Sequence, residues 1–296
     1  MKKLALALAA VLACGAVNAA DTLAKIKSAG KIVIGTRDSS APLAYTTGDG
    51  KYVGYHVDVC VKIADAIKAS LKAPTLPVEY TVVTSANRVP LVQNGTVDME
   101  CGSTTNNAAR QQQVSFAPTT FVTNVRTAVK ADSGITSIAQ LNGKTVATTT
   151  GTTSVQLLRK HEKGSNVDFK ELFGKDHADS FLLLESGRAD AFVMDDNILA
   201  GLIVNSKAPA EFKIVGESLS EEPIAIMIPK DDPAYKKLVD DTVTGLMKSG
   251  ELDKIYTKWF MSAIPPRNAT VGMAMSASLK NAIANPNDKP AETYKK

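Results

Sequence analysis

At 296 residues the chain can hold two modest domains or one large one, each with its own core, and it is too long to be a small disulfide-dependent scaffold. Apolar residues make up 44%, charged residues 22% and aromatic residues 5% with a single tryptophan, a balance that excludes disordered and fibrous classes. The formal charge is +4, and once Lys2 and Lys3 are assigned to a leader, 32 basic side chains face 30 acidic ones, too near neutrality to call for nucleic acid or an anionic membrane surface.

Residues 1–20 predict a secretory signal peptide: Lys2-Lys3, an apolar run from Leu4 to Val17, then small residues before Asp21. The run is about 14 residues, short of the ~20 that a spanning helix needs, so the mature chain is expected to be exported without stable membrane insertion. Cys14 lies in this run, and Leu12 fits a lipoprotein processing site poorly. Cleavage after residue 19 or 20 leaves Cys60 and Cys101. In an oxidising compartment these two could pair. Cys60 reads as the apolar face of a helix and Cys101 as the end of a strand, and two separate buried thiols are the preferred reading.

Past the leader, strand and helix patterns alternate. A short helix over 20–28 is closed by Gly30 and followed by a strand over 31–35. Val57, Cys60, Val61, Ala64, Ile67 and Leu71 recur at three- and four-residue spacing as the stripe of an amphipathic helix. A β-branched strand over 78–84, a short helix over 88–93 ended by Asn94-Gly95, and a strand over 97–101 complete a β-α-β-α-β series with parallel-sheet logic. A second series reads strand 145–148, helix 152–161, strand 167–169, helix 178–186, strand 189–194 and helix 197–205. Two extended segments, 120–130 and 222–228, bracket it, which suggests that the chain crosses into a second lobe and returns. Closing helices over 233–249 and 251–260 would pack on the first lobe. The tail after Ile264-Pro265-Pro266 is polar, with a short helix near 278–284 expected on the surface.

The residues with binding chemistry fall at strand ends and helix starts, where an open α/β sheet places a site. Arg37 follows the first strand, Ser85 and Arg88 the next, and Ser103, Thr104, Thr105 and Arg110 the third. In the second series, Thr149-Thr150-Gly151-Thr152-Thr153 presents hydroxyls and backbone N–H groups at a helix N-terminus, a natural anion seat. His177 stands at another helix start, and Asp195 and Asp196 end the last strand of that series. One arginine after a strand is an ordinary surface charge, and Asp195 alone could be a helix cap. Three arginines at three successive strand ends point to a site.

Other chemistries find no support. Gly143-Lys144-Thr145 lacks the glycine five positions earlier, where Ile138 stands, and precedes a strand. His56, His161 and His177 are isolated from cysteine and from one another, which leaves no metal-ligand spacing. There is no Gly-x-Ser-x-Gly elbow, and the Ser28/Lys31 spacing is a chance one across a turn. No catalytic residue, metal or cofactor is nominated.

Several runs together resemble the extracytoplasmic solute-binding proteins of polar amino acid ABC transporters, most closely the glutamate/aspartate-binding branch. They are Thr84 to Leu91, Gln93 to Thr96, Cys101 to Asn107, the Thr-Gly-Thr-Thr-Ser run at 150–154, Lys175-Asp176-His177, Leu184 to Ala189, Met194-Asp195-Asp196 and Lys258-Trp259-Phe260. The resemblance covers essentially the whole mature chain. It implies an α/β, two-lobed periplasmic-binding-protein fold of type II, each lobe a mostly parallel sheet flanked by helices, with a two-strand hinge. Lobe 1 would comprise 21–124 and 223–264, lobe 2 would comprise 125–222, and 265–296 would be a C-terminal extension on the surface. The resemblance also implies a periplasmic monomer that captures L-glutamate or L-aspartate by hinge closure and delivers it to inner-membrane ABC permease subunits. One departure is Ile226: a related sequence carries a cysteine near the return strand, and a disulfide there is excluded.

By matching positions, Arg110 with Ser103 and Thr105 would hold the α-carboxylate, helped by Thr152, and Asp195 would take the ammonium. Arg37, Ser85, Arg88, Thr149 and His177 would surround the side-chain carboxylate. Three arginines against one aspartate independently favour an acidic ligand over glutamine, since a neutral side chain would leave a desolvated guanidinium unpaired. The rival readings are a binding protein for a neutral polar amino acid, a dehydratase-like enzyme on the same scaffold with His177 as general acid, and a sensor ectodomain.

Overall fold

The computed structural model describes residues 21–165 and 167–294, so the expected signal peptide, with Cys14, lies outside the described residues. Two five-stranded sheets organise the chain. In the first the order is Val78–Val82, Ile32–Thr36, Met99–Glu100, Met227–Ile228, Ser115–Phe116. Its first three strands are parallel, and Met227–Ile228, contributed by the returning chain, is antiparallel to both neighbours. The Tyr55–Ser70 helix covers this sheet with a buried line through His56, Cys60, Ile63 and Ile67, the three- and four-residue spacing of one helix face. Val61, read as part of the stripe, is exposed instead. It follows Cys60 by one position, about 100° around the helix.

The second sheet runs Lys170–Gly174, Thr145–Thr149, Ala191–Asp195, Phe121–Lys130, Phe212–Ile224. Its first three strands are parallel and its last two antiparallel. Both faces are buried: Val146, Ala191 and Val193 enter one apolar cluster with Leu158, while Ala147, Phe192 and Met194 enter another with Phe181 and Ile198. The period-two split of neighbouring residues between two cores explains why these strands read as unbroken apolar runs. Two boundaries differ from expectation. The strand expected at 167–169 lies at Lys170–Gly174, an exposed edge with a half-polar sequence, while Phe169 fills the core as part of the connection. The return strand begins at Phe212, ten residues early, because its first part is also a polar edge, kinked between Val215 and Ser220.

The Phe121–Lys130 and Phe212–Ile224 strands are the two that cross between the sheets, paired side by side from Ile224↔Phe121 to Ser220↔Val125. The closing helices Pro233–Lys248 and Glu251–Tyr256, with a wider turn at Thr257–Met261, return to the first core. Phe260 stacks on Phe121 at 4.9 Å and on Tyr256 at 4.4 Å between ring centroids.

Cys60 and Cys101 form a disulfide, which corrects the reading of two separate thiols. The helix lies directly over the C-terminal end of the central strand, so both side chains enter the same buried cluster with a Cα–Cα distance of 6.3 Å. Neither element alone reveals that juxtaposition. In the tail, the Ala277–Ala284 helix inserts Leu279 and Ala282 into the first core. Residues beyond it satisfy two backbone groups near the site, accepting from Thr119 N through the Asn287 carbonyl at 2.9 Å and donating from Ala291 N to the Asn106 carbonyl at 2.8 Å.

Candidate functional site

The C-terminal ends of the first three strands of the first sheet face their counterparts in the second across a cleft. Arg37, one residue past Ile32–Thr36, is 1% exposed, and Arg88, the first residue of the Arg88–Gln93 helix, is 2% exposed. Arg37 donates from Nη2 to Ser85 Oγ at 2.9 Å and from Nη1 to Ser103 Oγ at 3.2 Å. Ser103 thus stands beside Arg37 rather than beside Arg110. Arg110 donates from Nη1 to the Thr105 carbonyl at 2.8 Å and reaches across to the Gly151 carbonyl at 3.4 Å. Arg88 differs from both: its Nε and Nη1 have no hydrogen-bond partner among the described residues. Burial, and then repulsion by Arg88, lowers the Arg37 guanidinium to about 10 and that of Arg110 to about 9; burial lowers Arg88 as well. All three stay charged at neutral pH, but each charge is held at a cost that a bound anion would relieve.

Across the cleft, His177 is buried at the start of the His177–Glu185 helix, with Nε2 3.4 Å from Arg37 Nη2 and Nδ1 3.0 Å from Thr149 Oγ1. Arginine only donates, so Nε2 accepts and Nδ1 carries the proton. Burial, with Arg37 and Arg88 adding to it, holds the imidazole well below its ordinary range and therefore neutral. Thr149 Oγ1 also meets Ser180 Oγ at 2.7 Å, and Thr152 Oγ1 donates to the Thr149 carbonyl at 2.7 Å. Asp195 precedes the Asp196–Asn205 helix, yet its buried carboxylate makes no capping bond to that helix, so the simple cap reading does not account for it. Burial, then the charges of Glu222 and Asp196, drive its carboxyl well above the usual range, against the opposing pull of Arg88 and Arg110.

Two carboxylates escaped the sequence reading. Glu100 is fully buried in the central strand, with Oε2 accepting from Thr104 Oγ1 at 2.6 Å and Oε1 unpartnered among the described residues. Glu222, 4% exposed on the return strand, accepts from Thr105, Thr153 and Ser220. Neither stands out in the sequence, because Asp98 lies two positions before Glu100 and Glu221 directly before Glu222, so only the fold shows that these two carboxylates are buried. The charge count is corrected accordingly: buried Arg37 and Arg88 and half-buried Arg110 face the three buried carboxylates of Glu100, Asp195 and Glu222, so net charge no longer favours an acidic ligand, whereas the unpartnered donors of Arg88 do. Among the described residues no cluster of His, Cys, Asp and Glu converges as a metal site.

This arrangement, two α/β lobes joined by a pair of strands with charged and hydroxyl groups facing each other across the cleft, defines a two-lobed solute-binding protein. The chain belongs to the bacterial extracellular solute-binding proteins, family 3, whose description matches residues 32–262. It is 45% identical over 289 residues to the glutamate/aspartate import solute-binding protein of Escherichia coli, covering 97% of this chain and 96% of that one. It is 46% identical over 272 residues to the L-glutamate/L-aspartate-binding protein of Pseudomonas aeruginosa, covering 92% and 90%. Among solved structures, the cysteine-binding protein of Campylobacter jejuni superposes with a TM-score of 0.71 at 26% identity, over 81% of this chain and 93% of that one.

Proposed function

We propose that this chain is the periplasmic substrate-binding component of an ABC importer for L-glutamate and L-aspartate, acting as a monomer and delivering its ligand to membrane permease subunits. Residues 21–124 with 223–264 form one lobe and 125–222 the other, with 265–296 an extension on the first. The observation that carries the ligand reading is Arg88, a buried guanidinium with two free donors beside a second buried guanidinium, Arg37. A ligand carboxylate satisfies both. The glutamate and aspartate binding of the two relatives agrees with that chemistry. Arg110, positioned by the Thr105 carbonyl and the Gly151-Thr152 turn, then serves the α-carboxylate, Asp195 the ammonium, and Arg37, Arg88, Ser85 and Ser103 the side-chain carboxylate, with His177 and Thr149 holding Arg37 in place.

An enzyme reading is disfavoured by His177. Its one proton is committed to Thr149 and its other nitrogen accepts from Arg37, so it has no proton to give at neutral pH. The test is calorimetric titration with glutamate, aspartate and glutamine, followed by mass analysis of the recovered amino acid. Tight binding of the two acids, weak binding of glutamine and chemically unchanged ligand are expected; glutamine binding as tightly as glutamate, or conversion of the ligand, overturns the proposal.

A further inference from the structure

We infer that Glu222 is a hinge-borne latch: a positioning residue that ties both lobes together in the closed arrangement and so sets ligand affinity without contacting the ligand's side chain. The inference rests on the binding-protein reading above. Three hydroxyls from three parts of the chain converge on this one carboxylate. Ser220 Oγ, from its own strand, donates to Oε1 at 2.9 Å. Thr105 Oγ1, from the loop after the first lobe's central strand, donates to Oε2 at 2.7 Å. Thr153 Oγ1, the first residue of the second lobe's Thr153–Ser165 helix, donates to the same oxygen at 2.8 Å. A carboxylate only accepts, so every one of these hydroxyls is oriented by it.

The position of Glu222 on the crossing strand is what makes the geometry consequential. It pairs with Thr123 of the other crossing strand, the segment about which the lobes must turn. A rotation that separates the lobes draws Thr105 and Thr153 apart, so one oxygen cannot keep both. The bond to Thr105 also leads to the site: the Thr105 carbonyl receives Arg110 Nη1, so the latch fixes the loop that aims the α-carboxylate clamp. The hydroxyl proton of Thr105 is committed to Glu222 here, which leaves the donating to Arg110. Removing such a residue shifts the balance toward open, and every ligand loses affinity by the same factor.

The experiment compares wild type with Glu222→Ala, Glu222→Gln, Thr153→Val and the Glu222→Ala/Thr153→Val double variant. Affinities are read by calorimetry, and the lobe–lobe distance by paired spin labels on the two lobes, without ligand and at subsaturating glutamate. Glu222→Ala and Thr153→Val should each raise Kd about tenfold, as expected for a hydrogen bond to a charged group, equally for glutamate and aspartate, and each should increase the open fraction. The double variant should lose no more than Glu222→Ala alone. Glu222→Gln, whose carbonyl oxygen still accepts from both threonines, should recover most of the affinity. Thr153→Val within twofold of wild type, multiplying losses in the double variant, or Glu222→Gln as weak as Glu222→Ala would overturn the latch, the last by showing that the charge acts instead. Absence of any glutamate binding in wild type would sink the functional proposal; the latch would then stand or fall on whether the unliganded distance distribution moves in both single variants.

Discussion

Arg88 and Arg37 occupy adjacent positions with unequal hydrogen bonding, and the inequality makes them separable by substitution. Arg37 is already held by Ser85, Ser103 and His177, whereas Arg88 keeps two donors free. Arg88→Ala removes the group with most to gain from a side-chain carboxylate, so glutamate affinity should fall by roughly 3 to 5 kcal/mol, on the order of a thousandfold, and glutamine affinity far less. Calorimetry of both ligands gives the ratio, and equal losses would show that Arg88 only supports the fold. Asp195 gives a second residue-scale test through pH. Its carboxyl is driven above the ordinary range by burial and by Glu222 and Asp196, so in the free closed protein it binds a proton more readily than an exposed aspartate. A ligand ammonium takes that proton's place. Binding should therefore release protons, and affinity should rise with pH through the window above the ordinary value of about 3.9 in which Asp195 titrates. Titrations in buffers of different ionisation enthalpy read the proton count. Asp195→Asn should bind weakly and abolish both effects, and proton uptake in wild type would refute the assignment.

At the scale of elements, two features of the backbone decide how the lobes meet and how firmly the site is anchored. Gly201 lies inside the Asp196–Asn205 helix, where alanine is the better helix former by about 1 kcal/mol. A Cβ at that position would sit 2.2 Å from the Ala41 carbonyl oxygen of the first lobe, so the helix meets that lobe only because the residue is glycine. Gly201→Ala should leave the unliganded protein at least as stable in a thermal melt while weakening glutamate and aspartate alike by tenfold or more; unchanged affinity would mean that the two surfaces do not meet in the bound state. The Cys60–Cys101 bridge acts on the same site from behind, since Cys101 is followed directly by the segment carrying Ser103 and Thr105. It closes a loop spanning 41 positions, for which chain entropy predicts about 4 kcal/mol. Cys60→Ser should lower the melting temperature markedly, and an unchanged melt under reducing conditions would contradict that. These two features also mark where reading the sequence stopped. Periodicity located nearly every buried element, because apolar spacing is local, and the strand-end arginines were legible because an open sheet dictates where loops converge. The disulfide, the Gly201 contact, Glu100 and Glu222 depend on which elements touch, and the edge strands were shifted because half their residues face solvent and carry no apolar pattern.

For the whole molecule, the distribution of groups between lobes dictates the motion. Arg37, Arg88 and Arg110 come from the portion around the first sheet, and Thr152, His177 and Asp195 from the portion around the second, so neither alone can satisfy two carboxylates and an ammonium. Closing without ligand brings the guanidiniums under cover with Arg88 incompletely bonded, and it buries Asp195 as a group that resists ionisation. Those are the terms a dicarboxylic amino acid removes, and its differential affinity for the closed form is the most it can contribute to closure. Against those costs stand the direct contacts between the lobes: Arg37 to His177 and Arg110 to Gly151 at 3.4 Å, Ser39 to Asp176 at 3.3 Å, Arg267 to the Asn205 carbonyl at 2.8 Å and the Glu222 bridge to Thr105 and Thr153. The unliganded protein should therefore populate both open and closed forms, and glutamate should shift it to the closed one, with the turn concentrated in the paired segments near residues 121–125 and 220–224. Hinge closure of this kind is a known repertoire for two-lobed binding proteins. Small-angle scattering at rising glutamate concentration should show a falling radius of gyration that saturates with the calorimetric affinity. Gly201→Ala should retain the larger radius at ligand concentrations that close wild type. A radius that does not change in wild type would show that the lobes do not move, and the affinity would then have to come from a cleft that is already closed.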